Sequence, residues 1–234
     1  MYKVSLCLHD VRLSDENNSL KMIKDVLNIF EAPLTIHLVI DKDPEEKSNL
    51  LIYLIEQIKN NKIEVVFHGL THKTSGKAWK LFSFYHCYQA EYIVDSDEIR
   101  INSEKIYYQI GKLLNVGKIG ICPSCWLATK NNYHFFKSLS PLYIESMLSI
   151  GYNGKRIFSP VVSLGTRSTI QLFFLKIFAY LMYMISKIIP SAKIRIVIHP
   201  CDLSNSRSMY FFSKIFFKLI RRNVKAVLLK ELSG

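Results

Sequence analysis

Ile63-Glu64-Val65-Val66-Phe67-His68-Gly69-Leu70-Thr71-His72 is a strand-like apolar run that ends in two imidazoles four residues apart. Histidines so spaced meet on one side of a helical turn, or converge from a strand end and the loop after it. Either geometry suits a divalent metal. An isolated H-x-x-x-H arises by chance among seven histidines, and its ordinary reading is two partly buried side chains. Its company gives it weight. Two more apolar runs end in groups of the same kind, Cys7-Leu8-His9-Asp10 near the start and Ile196-Val197-Ile198-His199-Pro200 near the end. Three strands that each deliver His or Asp at the C-terminal end predict one active site assembled from distant parts of a barrel or sheet.

Working outward, residues 3–8 read as a first strand and 20–30 as a helix with apolar positions at Met22, Ile23, Val26, Leu27 and Phe30. Pro33 stops it, and 34–40 reads as a second strand. A second helix is expected over 50–58. The order β-α-β-α-β up to residue 67 predicts parallel strands joined by right-handed crossovers. The aromatic stretch 73–97, with Trp79, Phe82, Tyr85 and Tyr92 among others, is too long for a plain connection and is expected to wall the site. Helices over 97–114 and 131–138, a short strand over 118–121 and strand-like runs over 143–147 and 156–162 follow. A core strand over 194–198, an amphipathic helix over 208–222 and a short strand over 226–228 complete the pattern. The 234 residues suit one α/β domain, 1–234, with no internal repeat.

With 49% apolar and 21% charged residues, the chain is not a disordered one. Its 31 Lys and Arg against 19 Asp and Glu give +12, a balance that suits an anionic partner such as nucleic acid, an acidic membrane face or a phosphorylated substrate. Solvated lysine-rich faces are the plain alternative. Met1-Tyr2-Lys3 leads directly into the first strand, so no secretory signal is expected, and the cysteines number five, which is odd. Reduced thiols and a cytoplasmic location are expected. Residues 170–189 are apolar nearly throughout and have three readings: a buried helix, a helix lying on a membrane surface, or a span. Lys176 inside the run makes a span costly, while Lys187, Lys193 and Arg195 nearby favour the membrane surface.

Asp10, His68 and His72 form a two-histidine, one-carboxylate set that leaves metal positions open, as catalytic Zn²⁺ needs, and Fe²⁺, Mn²⁺, Co²⁺ or Ni²⁺ also fit. His199 stands outside that set, where a proton for a leaving amine is required. Asp202 is placed to orient its ring. Cys122-Pro123-Ser124-Cys125 has the spacing of a thiol redox pair, or of half a zinc site whose second half is missing from the sequence.

His9-Asp10-Val11, His68-Gly69-Leu70-Thr71-His72, Pro123 to Trp126, and His199-Pro200-Cys201-Asp202 occur in the order of the polysaccharide deacetylase (NodB-homology) superfamily. The chain resembles that superfamily over nearly its whole length, most closely a bacterial branch with an HDV, HGxTH, PxW and HPxD series. The resemblance implies a distorted (β/α) barrel of about seven strands. It implies a divalent metal, Zn²⁺ by expectation, on Asp10, His68 and His72, with His199 as general acid. It also implies a substrate groove lined by Pro123, Trp126 and Asp202. The expected partner is an amino-sugar substrate, as a glycan or linked to a nucleotide or lipid, with peripheral contact to the inner face of an anionic membrane and no nucleic acid. Two departures bear on the base. His9 stands where better-known members carry an aspartate, and Cys122-Pro123 replaces the usual Arg-Pro-Pro loop. His9 and Glu91 are both candidates, and Glu91 is preferred because a carboxylate matches the missing role. A catalytically silent carbohydrate- or lipid-binding module on the same fold is the alternative.

Overall fold

The computed structural model describes residues 3–45, 47–71, 91–165, 169–188, 193–222 and 224–233. Strands β1 (Lys3–Arg12), β2 (Leu34–Val39) and β3 (Ile63–Phe67) alternate with helices α1 (Glu16–Phe30) and α2 (Asn49–Lys59). Helix α3 (Asp97–Leu113) leads to β4 (Gly120–Ile121), and α4 (Lys130–Ser138) to β5 (Ile144–Glu145). Strands β6 (Ser149–Tyr152), β7 (Lys155–Phe158) and β8 (Val161–Ser163) follow. The chain finishes with α5 (Thr169–Ile188), β9 (Ile194–Ile198), α6 (Pro200–Leu203), α7 (Ser206–Ile220) and β10 (Lys225–Ala226).

The strand order is β7-β6-β5-β4-β3-β2-β1-β9-β8, with β10 beside the start of β1. Pairings from β5 through β3 and β1 to β8 are parallel, and only β5-β6-β7 is antiparallel. The sheet curls through 288° into a half-barrel and does not close. This corrects the expected barrel of about seven strands. The run expected over 156–162 is two strands, β7 and β8, which sit at opposite edges of the sheet. The hairpin β6–β7 was not anticipated, because Ser149-Ile150-Gly151-Tyr152 carries too short an alternation to register as a strand. Most of the aromatic stretch expected to wall the site, 72–90, lies outside the described residues.

Period-two alternation divides every central strand between two surroundings. Leu6, Leu8, Leu34, Ile36, Leu38, Ile63, Val65, Phe67, Ile194 and Ile196 face the helices and form the main core. The alternate residues point into the half-barrel, and many are polar. Parallel register stacks them in levels. At the N-terminal end, Glu64 accepts from Tyr143 Oη at 2.7 Å and from Lys230 N–H at 3.0 Å, and Thr35 Oγ1 accepts from Leu229 N–H at 3.2 Å. The turn Leu229–Ser233 thus plugs that end, with Leu229 and Leu232 fully buried. Cys7 pairs with Thr35 at the Glu64 level, His37 is the next inward residue along β2, and Glu145 and Arg195 are buried on the same inner face. At the C-terminal edge the strands deliver His9, His68 and His199.

Burial pushes the Glu64 carboxyl up to about 7, over the opposing hydrogen bonds from Lys230 and Tyr143. The folded chain therefore holds this proton more tightly than the unfolded chain does. That contribution is complete below pH 4.5 and is lost as the pH rises to about 7. Glu64→Gln, which keeps a neutral acceptor, is expected to remove this decline and to raise stability above that range by roughly 3 kcal/mol. Urea denaturation across the pH range checks it.

Candidate metal centre

His9 and Asp10 are consecutive, so a regular strand would point them to opposite faces. The β1–β2 register shifts between Leu8 and Val11, and Asp10 takes φ 55°, a left-handed backbone. Such a bulge re-aims side chains beside a functional site. Here it lets both residues turn toward His68. The His9 and His68 rings are 4.5 Å apart, and Asp10 Oδ1 stands 3.4 Å from His68 Nε2. Two ligands about 2.1 Å from one tetrahedral cation stand about 3.4 Å from each other, whereas an N–H···O hydrogen bond prefers about 2.9–3.0 Å. The spacing is that of a coordination edge.

His68 is prepared for that role by its other nitrogen. Nδ1 donates to the Cys122 carbonyl at 2.8 Å, which leaves the lone pair on Nε2, facing Asp10. Ligand histidines are oriented in this way by a backbone carbonyl. The ring is 2% exposed, whereas the Asp10 side chain is 19% exposed and opens the centre to solvent. Among the described residues, His9, His68 and Cys122 form one grouping able to hold a metal, and His37, Cys122 and Glu145 another. Burial and the Glu145 charge push the Cys122 thiol well up, so without a metal it stays protonated. In the second grouping, Glu145 is already neutralised by Arg195. Asp10 with His68 is the better pair for a cation, and His9 borders it. The third expected ligand, His72, lies outside the described residues.

His199 ends β9 level with His9, because Leu8 pairs with Ile198, and the two rings are 5.2 Å apart. Asp202 Oδ2 accepts from the backbone N–H of His199 at 3.0 Å and of Gly165 at 3.2 Å. The same oxygen lies 3.6 Å from His199 Nδ1, and Gly165, at φ 50°, leaves room for the ring where a Cβ would lie 3.0 Å from that nitrogen. Burial lowers the His199 pKa, but the Asp202 and Asp10 carboxylates outweigh it and hold the imidazolium above its ordinary range. Asp202 is fully buried behind the ring. It therefore does not line a groove, and it sits where the sequence placed it, behind the His199 ring.

Glu91 accepts through Oε1 from Leu70 N–H at 2.7 Å, and through Oε2 from Thr71 N–H at 2.9 Å and Thr71 Oγ1 at 3.1 Å. It clamps the loop leaving β3, where Gly69 has φ 110° and any Cβ would collide with Oε1. Burial raises the Glu91 pKa, and three donors from the loop oppose the shift. Both its oxygens are engaged by the loop, so the structure places Glu91 as a clamp on the β3 exit. His9, the other candidate base, is held neutral. Burial, then the neighbouring His37, His68 and His199, push its pKa well down, and its Nε2 is buried without a hydrogen-bond partner among the described residues.

No protein-family model matches the chain, and no curated protein matches it.

The loop Pro123–Trp126 forms the remaining wall. Cys125 and Trp126 have φ 54° and 56°, two successive left-handed residues that cost about 1–2 kcal/mol each. That conformation brings the indole to 5.0 Å from the His9 ring and 6.5 Å from His199. Ser124 is fully buried and accepts from Glu91 N–H at 3.2 Å, tying this loop to the clamp. No disulfide joins Cys122 and Cys125.

Beneath the metal centre runs a chain of buried polar groups that the sequence reading did not find. His37 Nε2 donates to Glu145 Oε1 at 2.7 Å, and Arg195 Nη1 donates to Glu145 Oε2 at 2.8 Å. Arg195 is wholly buried, and its other donors reach the carbonyls of Ser146, Met147 and Ser159. The His37 ring lies 3.7 Å from that of His9 and props it from below. The available signal was a polar residue inside an apolar run, His37 in β2 and Arg195 in β9. Arg195 is therefore not a surface cation beside the apolar helix, as its sequence position suggested.

Proposed function

We propose that the chain is a metal-dependent amide hydrolase that removes an N-acyl group, acetyl by preference, from an amino sugar. This is the chemistry of the polysaccharide deacetylase superfamily that its motifs resemble. The observation that carries the reading is the 3.4 Å approach of Asp10 to His68, with His199, its pKa raised by Asp202, on the strand beside Asp10. Asp10, His68 and, by the motif, His72 hold the cation, for which Zn²⁺ fits two nitrogens and a carboxylate. When bound, such a cation supplies Lewis acidity, acidifying a water and polarising the acyl carbonyl.

The chain's own residues then divide the work. One of the two candidate bases takes the proton of the attacking water: neutral His9, which borders the pair, or Glu91, whose carboxyl burial raises. As the C–N bond breaks, His199 gives its proton to the amine nitrogen, so a free amine and a carboxylate leave. The Trp126 indole and Pro123 form an apolar wall against a sugar face. Glu91 and Gly69 hold the ligand loop, while His37 props His9. The pairing of such a site with a strongly basic chain favours a nucleotide- or lipid-linked sugar over a neutral polymer.

The test is elemental analysis of the purified chain together with a deacetylase assay on N-acetyl sugars, soluble and lipid-linked. Metal bound stoichiometrically with acetate release is expected. His199→Ala is expected to lower turnover by about 10²–10⁴-fold with metal content unchanged. A folded chain that cannot be loaded with Zn²⁺, Mn²⁺, Co²⁺ or Ni²⁺ overturns the proposal in favour of a silent binding module.

A further inference from the structure

Helix α5 is neither a core helix nor a span. Its buried side, among the described side chains, is Ala179, Met182 and Tyr183, while Phe173, Phe174, Ile177, Tyr180 and Leu181 are 51–64% exposed. Those five positions, at i, i+1, i+4, i+7 and i+8, make one continuous face of a helix. No helix among the described residues is long and apolar enough to cross a membrane. Five large apolar side chains side by side on a surface call for a partner.

The charge of the chain is segregated toward the same region. Residues 1–145 carry equal numbers of basic and acidic side chains, seventeen of each. Residues 146–230 carry fourteen Lys and Arg and a single acid, Asp202, which is buried. On helix α7 the exposed residues Arg207, Tyr210, Lys214, Phe217, Lys218 and Arg221 recur at helical spacing, with Tyr210 68% exposed. The two helices touch where Lys176 Nζ lies 5.9 Å from the centre of the Phe211 ring. Both residues are half-buried and flank the exposed face of their own helix, so the two faces adjoin.

We propose that the adjoining faces of α5 and α7 form a docking surface for an anionic lipid bilayer. Phe173, Phe174, Ile177 and Leu181 enter the headgroup and acyl boundary, and the basic residues of α7 lie against lipid phosphates. An apolar face flanked by a basic, aromatic-containing face is the composition that binds membrane surfaces without spanning them. A bilayer accounts for both faces at once, the apolar one through its acyl boundary and the basic one through its phosphates. Both helices start at the edge of the sheet that carries the candidate site. Thr169 is four residues past Gly165, which packs on His199, a reach of at most about 14 Å. Docking would therefore bring the mouth of the site beside the bilayer.

Co-sedimentation of the full chain with phosphatidylcholine vesicles, with and without phosphatidylglycerol, tests this independently of any enzymatic activity. Binding to the anionic vesicles, weakened by salt, is expected. Two variants change exposed side chains only, and circular dichroism checks that they fold. Lys214→Glu/Lys218→Glu/Arg221→Glu is expected to weaken binding by on the order of a hundred-fold or more. Phe173→Ser/Phe174→Ser/Ile177→Ser is expected to weaken it comparably. Lys21→Glu/Lys59→Glu/Lys62→Glu, which changes net charge equally on exposed positions elsewhere, is expected to leave it intact. Absence of binding at low salt overturns the proposal. So does a loss shared equally by the control variant. Equal binding to double-stranded DNA that is insensitive to the Phe173 variant assigns the surface to nucleic acid instead. A dimer in sedimentation velocity that the Phe173 variant dissociates assigns it to a second copy of the chain.

Discussion

Glu145→Leu is expected to destabilise the fold by about 3–5 kcal/mol, because it leaves the fully buried Arg195 guanidinium facing only carbonyls. The same change removes the acceptor of His37 Nε2–H, so a second buried donor loses its partner. Arg195→Met is expected to cost a comparable amount, since the Glu145 carboxylate then keeps only a neutral imidazole: burial, against the pull of Glu145, lowers the His37 pKa. The double variant Glu145→Leu/Arg195→Met is expected to recover much of the loss. Replacing both members of a buried ion pair avoids an uncompensated charge and is often neutral. Urea unfolding of the four proteins, read as a double-mutant cycle, checks the pattern. Additive losses would mean that the two groups do not act as a pair. Because His37 props the His9 ring at 3.7 Å, the single variants are also expected to disturb the metal centre above them.

His68→Ala is expected to lower metal affinity by on the order of a hundred-fold or more and to take the proposed deacylase activity to background. Loss of a mere hydrogen bond to a ligand histidine already costs about 10–100-fold. The fold is expected to survive, since the hydrogen bond from Nδ1 to the Cys122 carbonyl joins strand ends that the β3–β4 pairing already holds together. Asp10→Asn tests the other member. It keeps the shape but removes the charge that offsets a cation, so metal affinity falls while the bulge at φ 55°, which asparagine tolerates, persists. Elemental analysis and titration with Zn²⁺ or Co²⁺ measure both effects. Retention of wild-type affinity by both variants would remove the coordination edge from the account.

These two expectations draw on different levels of information. The sequence by itself determined the alternation of strands and helices, since the apolar spacing in 20–30 and 50–58 and the β-branched runs at Leu34, Ile63 and Ile194 act locally. It also put His9-Asp10, His68 and His199 at strand ends, and parallel strands leave such ends on one edge. What the tertiary structure decided are the relations between positions far apart in the chain. Glu145 and Arg195 meet because β5 and β9 both line the curled inner face, fifty residues apart. Glu91 clamps the loop after β3 because that loop presents three donors to it. The left-handed turn at Asp10, which aims a neighbouring pair into one centre, depends on a register shift against β2. The sheet stays open because β6 and β7 extend its edge as an antiparallel hairpin instead of meeting β8. Side-chain periodicity is a one-dimensional signal, whereas closure, register and buried charge pairing are settled only when distant segments compete for the same partners.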